Sequence, residues 1–214
     1  MNNLSLDEMT EQYLDVLKEL GNIGTGNAAT ALAQMIDCRV DMKVPQVRLL
    51  EFKDLGSILG GEEAVLASVY LRIEGDIEGS MMFVLPEKSG LNLVNKLMSG
   101  MLGIPEKPIE ECQFGEMECS AMKEVGNIIT GAYLNAISSL TNMSFIPSVP
   151  QLSIDMAGAI LSVPAAEFGE YGDYILLIQT QFSDEMDLNG YFILIPDVES
   201  YGKILSSLGV MQDE

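Results

Sequence analysis

The chain has 214 residues, 48% of them hydrophobic, and carries 32 acidic against 11 basic side chains and no histidine, for a net charge of −21. That length and apolar content support a sizeable core and exclude disorder. The charge repels phosphate backbones and anionic lipid, so neither nucleic acid nor a membrane surface is an expected partner.

A protein target with basic patches, or with a lysine at its recognition centre, suits this surface better. Without histidine, zinc sites, His-based triads and imidazole acid–base chemistry are excluded or strongly disfavoured. Met1 to Thr10 has neither a basic nor an apolar region of the kind a signal peptide needs. Apolar runs such as Ile175 to Ile178 are strand-length and too short to span a bilayer. Cys38, Cys112 and Cys119 lack CxxC spacing and read as reduced, buried or half-buried thiols, which points to the cytoplasm.

In chain order, Ser5-Leu6-Asp7-Glu8 is a capping box that opens a helix from about Asp7 to Met35. Its expected apolar face carries Tyr13, Val16, Leu17, Leu20, Ile23, Ala31 and Met35. Val40 to Leu50 reads as a strand interrupted by Pro45, a residue that belongs at an edge or a bulge. Ala64 to Ile73 and Ile77 to Leu85 form an expected hairpin around Glu74-Gly75-Asp76. Pro86 opens a helix whose buried side holds Leu91, Val94, Leu97 and Met98. Gly103, Pro105 and Pro108 mark a joint, after which the order repeats. A helix from about Gly115 to Leu140 should face inward with Met122, Val125, Ile128, Ile129, Ala132, Ala136 and Leu140. Pro150 to Ile154, Tyr174 to Phe182 and Asn189 to Ile195 supply strands, and Val198 to Leu208 a closing helix.

Each half, about residues 1–100 and 109–214, thus reads helix–strand–strand–strand–helix within a single domain. The expected class is α+β, with antiparallel sheets flanked by helices and a pseudo-twofold axis between the halves.

The duplication preserves more than hydrophobic period. Asp15-Val16-Leu17-Lys18-Glu19-Leu20-Gly21-Asn22-Ile23 recurs as Ser120-Ala121-Met122-Lys123-Glu124-Val125-Gly126-Asn127-Ile128, 105 residues on. Thr25-Gly26 and Thr130-Gly131 follow, then Pro45 and Pro150 at matching distance. On an α-helix, Asp15, Glu19 and Asn22 share a stripe of about 60°, nearly opposite the apolar face, with Glu19 and Asn22 about 5–6 Å apart at Cβ. Ser120, Glu124 and Asn127 occupy the same stripe on the second helix, and Gly26 and Gly131 leave bare helix one turn beyond each Asn. A solvated face explains one such pattern. It does not explain why a glycine, costing about 1 kcal/mol of helix propensity, should accompany the pattern twice at one phase.

Other candidates are weaker. Gly24-x-Gly26 lacks the preceding strand and following Lys-Ser/Thr of a phosphate loop, and Gly24 projects to the core side, where helix packing is its expected role. No acidic spacing suits a calcium loop. Fourteen methionines read as core filler.

The twice-present pattern [Asp/Ser]-x-x-x-Glu-x-x-Asn-x22-Pro resembles the signature of the CheC family of bacterial chemotaxis phosphatases. The shorter CheX type, with one intact site, is a poorer match. The resemblance implies an active site on each long helix, Glu19 with Asn22 and Glu124 with Asn127, with Asp15 and Ser120 in a supporting role. It implies as substrate the response regulator CheY, phosphorylated on aspartate. The amide would position water and the carboxylate would hold a target lysine. No cofactor is implied for the chain itself, and Mg²⁺ would arrive on the phosphorylated partner. A second expectation, also from the resemblance, is an adaptor that binds phosphorylated CheY or the receptor deamidase CheD as a switch. With an internal pseudo-dimer, the default oligomeric state is a monomer.

Overall fold

In the computed structural model, residues 11–36, 40–168, 174–182 and 189–207 are described; the capping box at Ser5 and Glu8, and Cys38, lie outside them. Helix α1 (Glu11–Ile36) leads into strand β1 (Met42–Glu51), a short helix α2 (Leu55–Ile58), the hairpin β2 (Val65–Gly75) and β3 (Gly79–Pro86), and helix α3 (Glu87–Leu102). The second half runs α4 (Glu116–Thr141), β4 (Phe145–Pro147), β5 (Gln151–Met156), α5 (Ala157–Phe168), β6 (Tyr174–Phe182), β7 (Asn189–Pro196) and α6 (Val198–Ser207).

All the described strands join one antiparallel sheet in the order β1-β6-β7-β3-β2, with β5 and β4 end to end along the far edge of β2. Exchanging β1 with β5, β2 with β6 and β3 with β7 leaves this order unchanged. A pseudo-twofold axis therefore passes between β3 and β7, where Phe83 faces Phe192 and their rings stack with centroids 5.1 Å apart. Registers agree with it: Arg48 opposite Leu177 on one flank answers Ser153 opposite Ser68 on the other.

Two hydrophobic layers lie on opposite faces of the sheet. Alternate residues Ala67, Val69, Leu71, Met81, Phe83, Ile178 and Phe192 meet α1, α3, α4 and α6. The intervening Leu66, Tyr70, Met82, Val84, Leu177 and Ile193 meet α2 and α5. Coverage on both sides explains why β2 and β3 read as nearly continuous apolar runs, whereas the edge strands β1 and β5 alternate with exposed Lys43, Gln46, Arg48, Gln151, Ser153 and Asp155.

Local chemistry places the element ends. Pro86 caps the start of α3, and Gly103 ends it in the left-handed conformation (φ 64°), its N–H donating to Ser99 O at 3.0 Å. The joint is latched to α3 by Asn95, which donates to Lys107 O at 2.9 Å and accepts from Lys107 N at 3.2 Å. Gly75 has φ 126° and backs onto Ser144 O, leaving no room for a side chain at the hairpin end. Glu118 accepts from Gly115 N at 3.2 Å, giving α4 half of a capping box where no Ser or Thr stands.

Pro45 falls where the pairing of β1 with β6 shifts register, between Lys43 and Gln46, on an edge strand. Several expectations need correction. Each half is helix–strand–helix–strand–strand–helix, because a further helix, α2 or α5, precedes the strand pair, and β4 is an added strand in the second half. The strands form one sheet, shared across the axis. Leu140 is exposed, lying on the last turn of α4 beyond the sheet. The buried stripe of α1 is Leu17, Leu20, Gly21, Gly24, Thr25, Ala28 and Leu32, while Val16, Ile23, Ala31 and Met35 are only half-buried. The helix is rotated so that its small residues meet α4 and the sheet. The side chains of Tyr13 and Asp15 lie outside the described residues.

Candidate active site

The two long helices pack side by side on one face of the sheet, and glycines set how closely. A Cβ on Gly24 would stand 2.4 Å from the ring of Tyr133 on α4. One on Gly126 would stand 2.5 Å from Val69 of β2, and one on Gly21 3.3 Å from Val47 of β1. The glycine of each Gly-Asn pair therefore faces the sheet, and at Gly126 the lack of a side chain is a packing requirement. About 100° further round the helix, the following residue turns to solvent. Glycine against the sheet thus determines where Asn22 and Asn127 point.

Glu19, Asn22, Glu124 and Asn127 are all exposed. Lys18 and Lys123 precede the acids and are exposed too. A Cβ built on Gly26 or Gly131 would meet nothing within 4 Å, so bare helix backbone lies one turn beyond each amide. Ser120 turns its hydroxyl back on its own helix, donating to Glu116 O at 2.9 Å. Of the sequence-derived site residues, only the side chain of Asp15 is not described.

Beneath the first pair lies a buried polar contact that the sequence did not announce. Thr25 Oγ1 is 2.5 Å from the Tyr133 hydroxyl, which is 3.3 Å from Thr180 Oγ1 of β6. The Tyr133 ring stacks on Phe192 with centroids 4.0 Å apart. Burial pushes the Tyr133 phenol above its ordinary value, with the bonds to Thr180 and Thr25 pulling the other way, so it stays a neutral donor and acceptor. The corresponding Thr130 instead donates within its own helix, to Gly126 O at 2.6 Å.

Two cavities among the described residues include no motif residue. One, of about 230 Å³, lies between β2, β5 and α5 and is lined by Ser68, Tyr70, Ser153 and Asp155. The other, of about 160 Å³, lies between α3 and the joint. An acid and an amide on an open helix surface cannot enclose a small substrate, since such sites are concave and bury most of their ligand. They can act on a group that another macromolecule presents.

The model of the CheC-like family matches residues 13–48 and 117–154, two segments that each hold one Glu-x-x-Asn pair. Over 93% of its length the chain is 37% identical to the CheY-P phosphatase CheC of Bacillus subtilis, 95% of which is covered. The chain belongs to the CheC-like family. It is also 27% identical over 70% of its length to the flagellar motor switch phosphatase FliY of Bacillus subtilis, covering 37% of that protein. Among solved structures, FliY of Thermotoga maritima superposes with a TM-score of 0.71 at 20% identity, over 96% of this chain and 100% of that one. This last likeness shows that the CheC-like fold is shared. Both matched segments begin on a long helix and end in a strand beyond it, β1 in the first half and β5 in the second, so each holds one copy of the duplicated motif.

Proposed function

We propose that this CheC-like chain is a phosphatase that hydrolyses the aspartyl phosphate of phosphorylated CheY, at two equivalent sites, Glu19 with Asn22 and Glu124 with Asn127. The observation that carries the reading is the exposure of both pairs on helices related by the pseudo-twofold axis, with bare backbone beside each amide. The identity to a relative named as a CheY-P phosphatase supports it. The same reading divides the chain into two repeats, about residues 1–100 and 109–214, of one cytoplasmic, monomeric domain.

An acyl phosphate needs little chemistry from a catalyst. Its transition state is loose, so placing a water in line with phosphorus does most of the work and a general base is dispensable. A primary amide both donates and accepts, which lets Asn22 or Asn127 orient such a water. The carboxylate one turn earlier pairs with a lysine of the target, and the charge of −21 favours the encounter. Any Mg²⁺ belongs to the phosphorylated partner. Gly26 and Gly131 let the partner's surface approach the helix, and Asp15 and Ser120 take a supporting place at the start of each stripe.

The test is phosphate release from acetyl-phosphate-charged CheY. Asn22→Ala combined with Asn127→Ala is expected to lower kcat by about two orders of magnitude, the scale on which a misplaced reactant costs rate. Either single change leaves partial activity. Glu19→Ala with Glu124→Ala is expected to act mainly on kcat/KM through docking. A double Asn variant that works at the wild-type rate rejects the assignment of catalysis to these amides, and a wild-type chain that releases no phosphate leaves the adaptor for CheY or CheD.

A further inference from the structure

We propose that Tyr133, on the second long helix, is a positioning residue for the site on the first helix, Glu19 with Asn22, and for that site alone. Thr25 lies on α1 one turn beyond Asn22, and its hydroxyl meets the Tyr133 hydroxyl at 2.5 Å. The same phenol oxygen is 3.3 Å from Thr180 of β6, and its ring is stacked on Phe192 of β7 at 4.0 Å. One side chain thus ties α1 to α4 and to two central strands of the sheet. A bond from a rigid aromatic group fixes both the rotation and the axial position of α1 within a turn of the amide.

The first helix needs such a brace more than the second. Gly21, Gly24 and Gly26 stand within six residues of α1, each about 1 kcal/mol less helix-forming than alanine. Its geometry here is therefore set by tertiary contact. On α4 the residue equivalent to Gly24 is Ile129, and Thr130 bonds its own helix at Gly126 O, 2.6 Å away. The residue equivalent to Tyr133 is Ala28, which has no polar group to offer across the axis. The brace reaches from the second half to the first, with no return. A misplacement of about 1 Å at a water-orienting amide can cost up to about a hundredfold in rate.

The kinetic part of this inference rests on the phosphatase reading; the mechanical part does not. Tyr133→Phe removes one oxygen and keeps the ring on Phe192. It is to be made in two backgrounds, Asn127→Ala, where only the first site works, and Asn22→Ala, where only the second does. In the first background kcat is expected to fall about fivefold or more, with KM changing less than about twofold. In the second, kcat should move by less than about twofold. Thr25→Val should reproduce the loss and Thr25→Ser should not. Amide hydrogen exchange of the full chain should quicken at residues 19–26 in Tyr133→Phe and stay unchanged at residues 124–131. Equal loss in both backgrounds, or loss only where the second site works, overturns the proposal. So does faster exchange with unaltered kinetics in both. If both Asn backgrounds keep full turnover, the assignment of catalysis to Asn22 and Asn127 is what fails. Exchange then decides the brace by itself, and no change at residues 19–26 rejects it.

Discussion

Helices α1 and α4 have 26 residues each and carry Glu, Gly and Asn at the same phase on the same face of one sheet, yet their contacting sides are opposite in size. Where α1 has Gly24 and Ala28, α4 has Ile129 and Tyr133. The large ring of Tyr133 fills the space over Gly24, so the interface is complementary rather than symmetric. A duplicated unit that packs against its own copy has to conserve only the summed volume across the axis, because a close-packed interior fixes volume and not identity. No such trade is open to an outward-facing amide. The inside of the two halves has diverged in a compensating way while the outer Glu-x-x-Asn stripe is the same in both.

The largest effects should come from adding a methyl group where the two halves differ in clearance. Gly126→Ala drives a Cβ to 2.5 Å from Val69 on a central strand, whereas Gly21→Ala brings its Cβ only to 3.3 Å from Val47 on an edge strand. Gly24→Ala meets the Tyr133 ring at 2.4 Å, and that ring is backed by Phe192. Overpacking of this kind costs about 1–3 kcal/mol, so Gly24→Ala and Gly126→Ala should lower the urea midpoint clearly while Gly21→Ala stays close to wild type. Equal midpoints for Gly21→Ala and Gly126→Ala would break the claim that the halves are packed differently against the sheet.

These glycines also show where the sequence stopped being informative. The long helices, the hairpin of β2 and β3, the strands β6 and β7 and the placement of Pro45 follow from periodicity and turn chemistry, which are local. Helix α5 does not, because Pro164 lies inside it and its apolar residues show little helical periodicity. The buried stripe of α1 is built largely from Gly21, Gly24, Thr25 and Ala28, which carry almost no hydrophobic signal. The propensity cost of Gly126 has its cause in Val69, a contact that no local pattern shows. The positions of Glu19, Asn22, Glu124 and Asn127 were legible because a repeat within one chain marks what both copies keep. The bond from Thr25 to Tyr133 spans 108 residues, and no local pattern encodes it.

A smaller pair of effects sharpens the outer side of the comparison. Gly26 and Gly131 have open space where a Cβ would go, so alanine at either is expected to raise stability by about 0.5–1 kcal/mol through helix propensity. Under the proposed function the same change narrows the approach to the neighbouring amide, and phosphate release from CheY should fall although the protein is more stable. Gly26→Ala and Gly131→Ala that gain stability and keep full turnover would show that the bare patches serve no docking purpose.

The smallest expected effect belongs to one half only, because Tyr133 titrates and its counterpart Ala28 does not. Burial raises the folded-state phenol above its ordinary value near 10. The folded state therefore holds that proton more tightly than the unfolded chain does. The stability linked to it is fully present below the unfolded value and is lost as pH rises through the folded one. Between about pH 7 and pH 10.5 the wild type should lose more stability to this phenol than Tyr133→Phe, which has no group to ionise there. Urea midpoints of both proteins at the two pH values, with phenolate absorbance followed on unfolding, measure the difference. All other side chains are common to the two proteins and cancel in that comparison. Equal alkaline losses would mean that the phenol ionises as easily folded as unfolded, which a ring sealed between Gly24 and Phe192 should not allow.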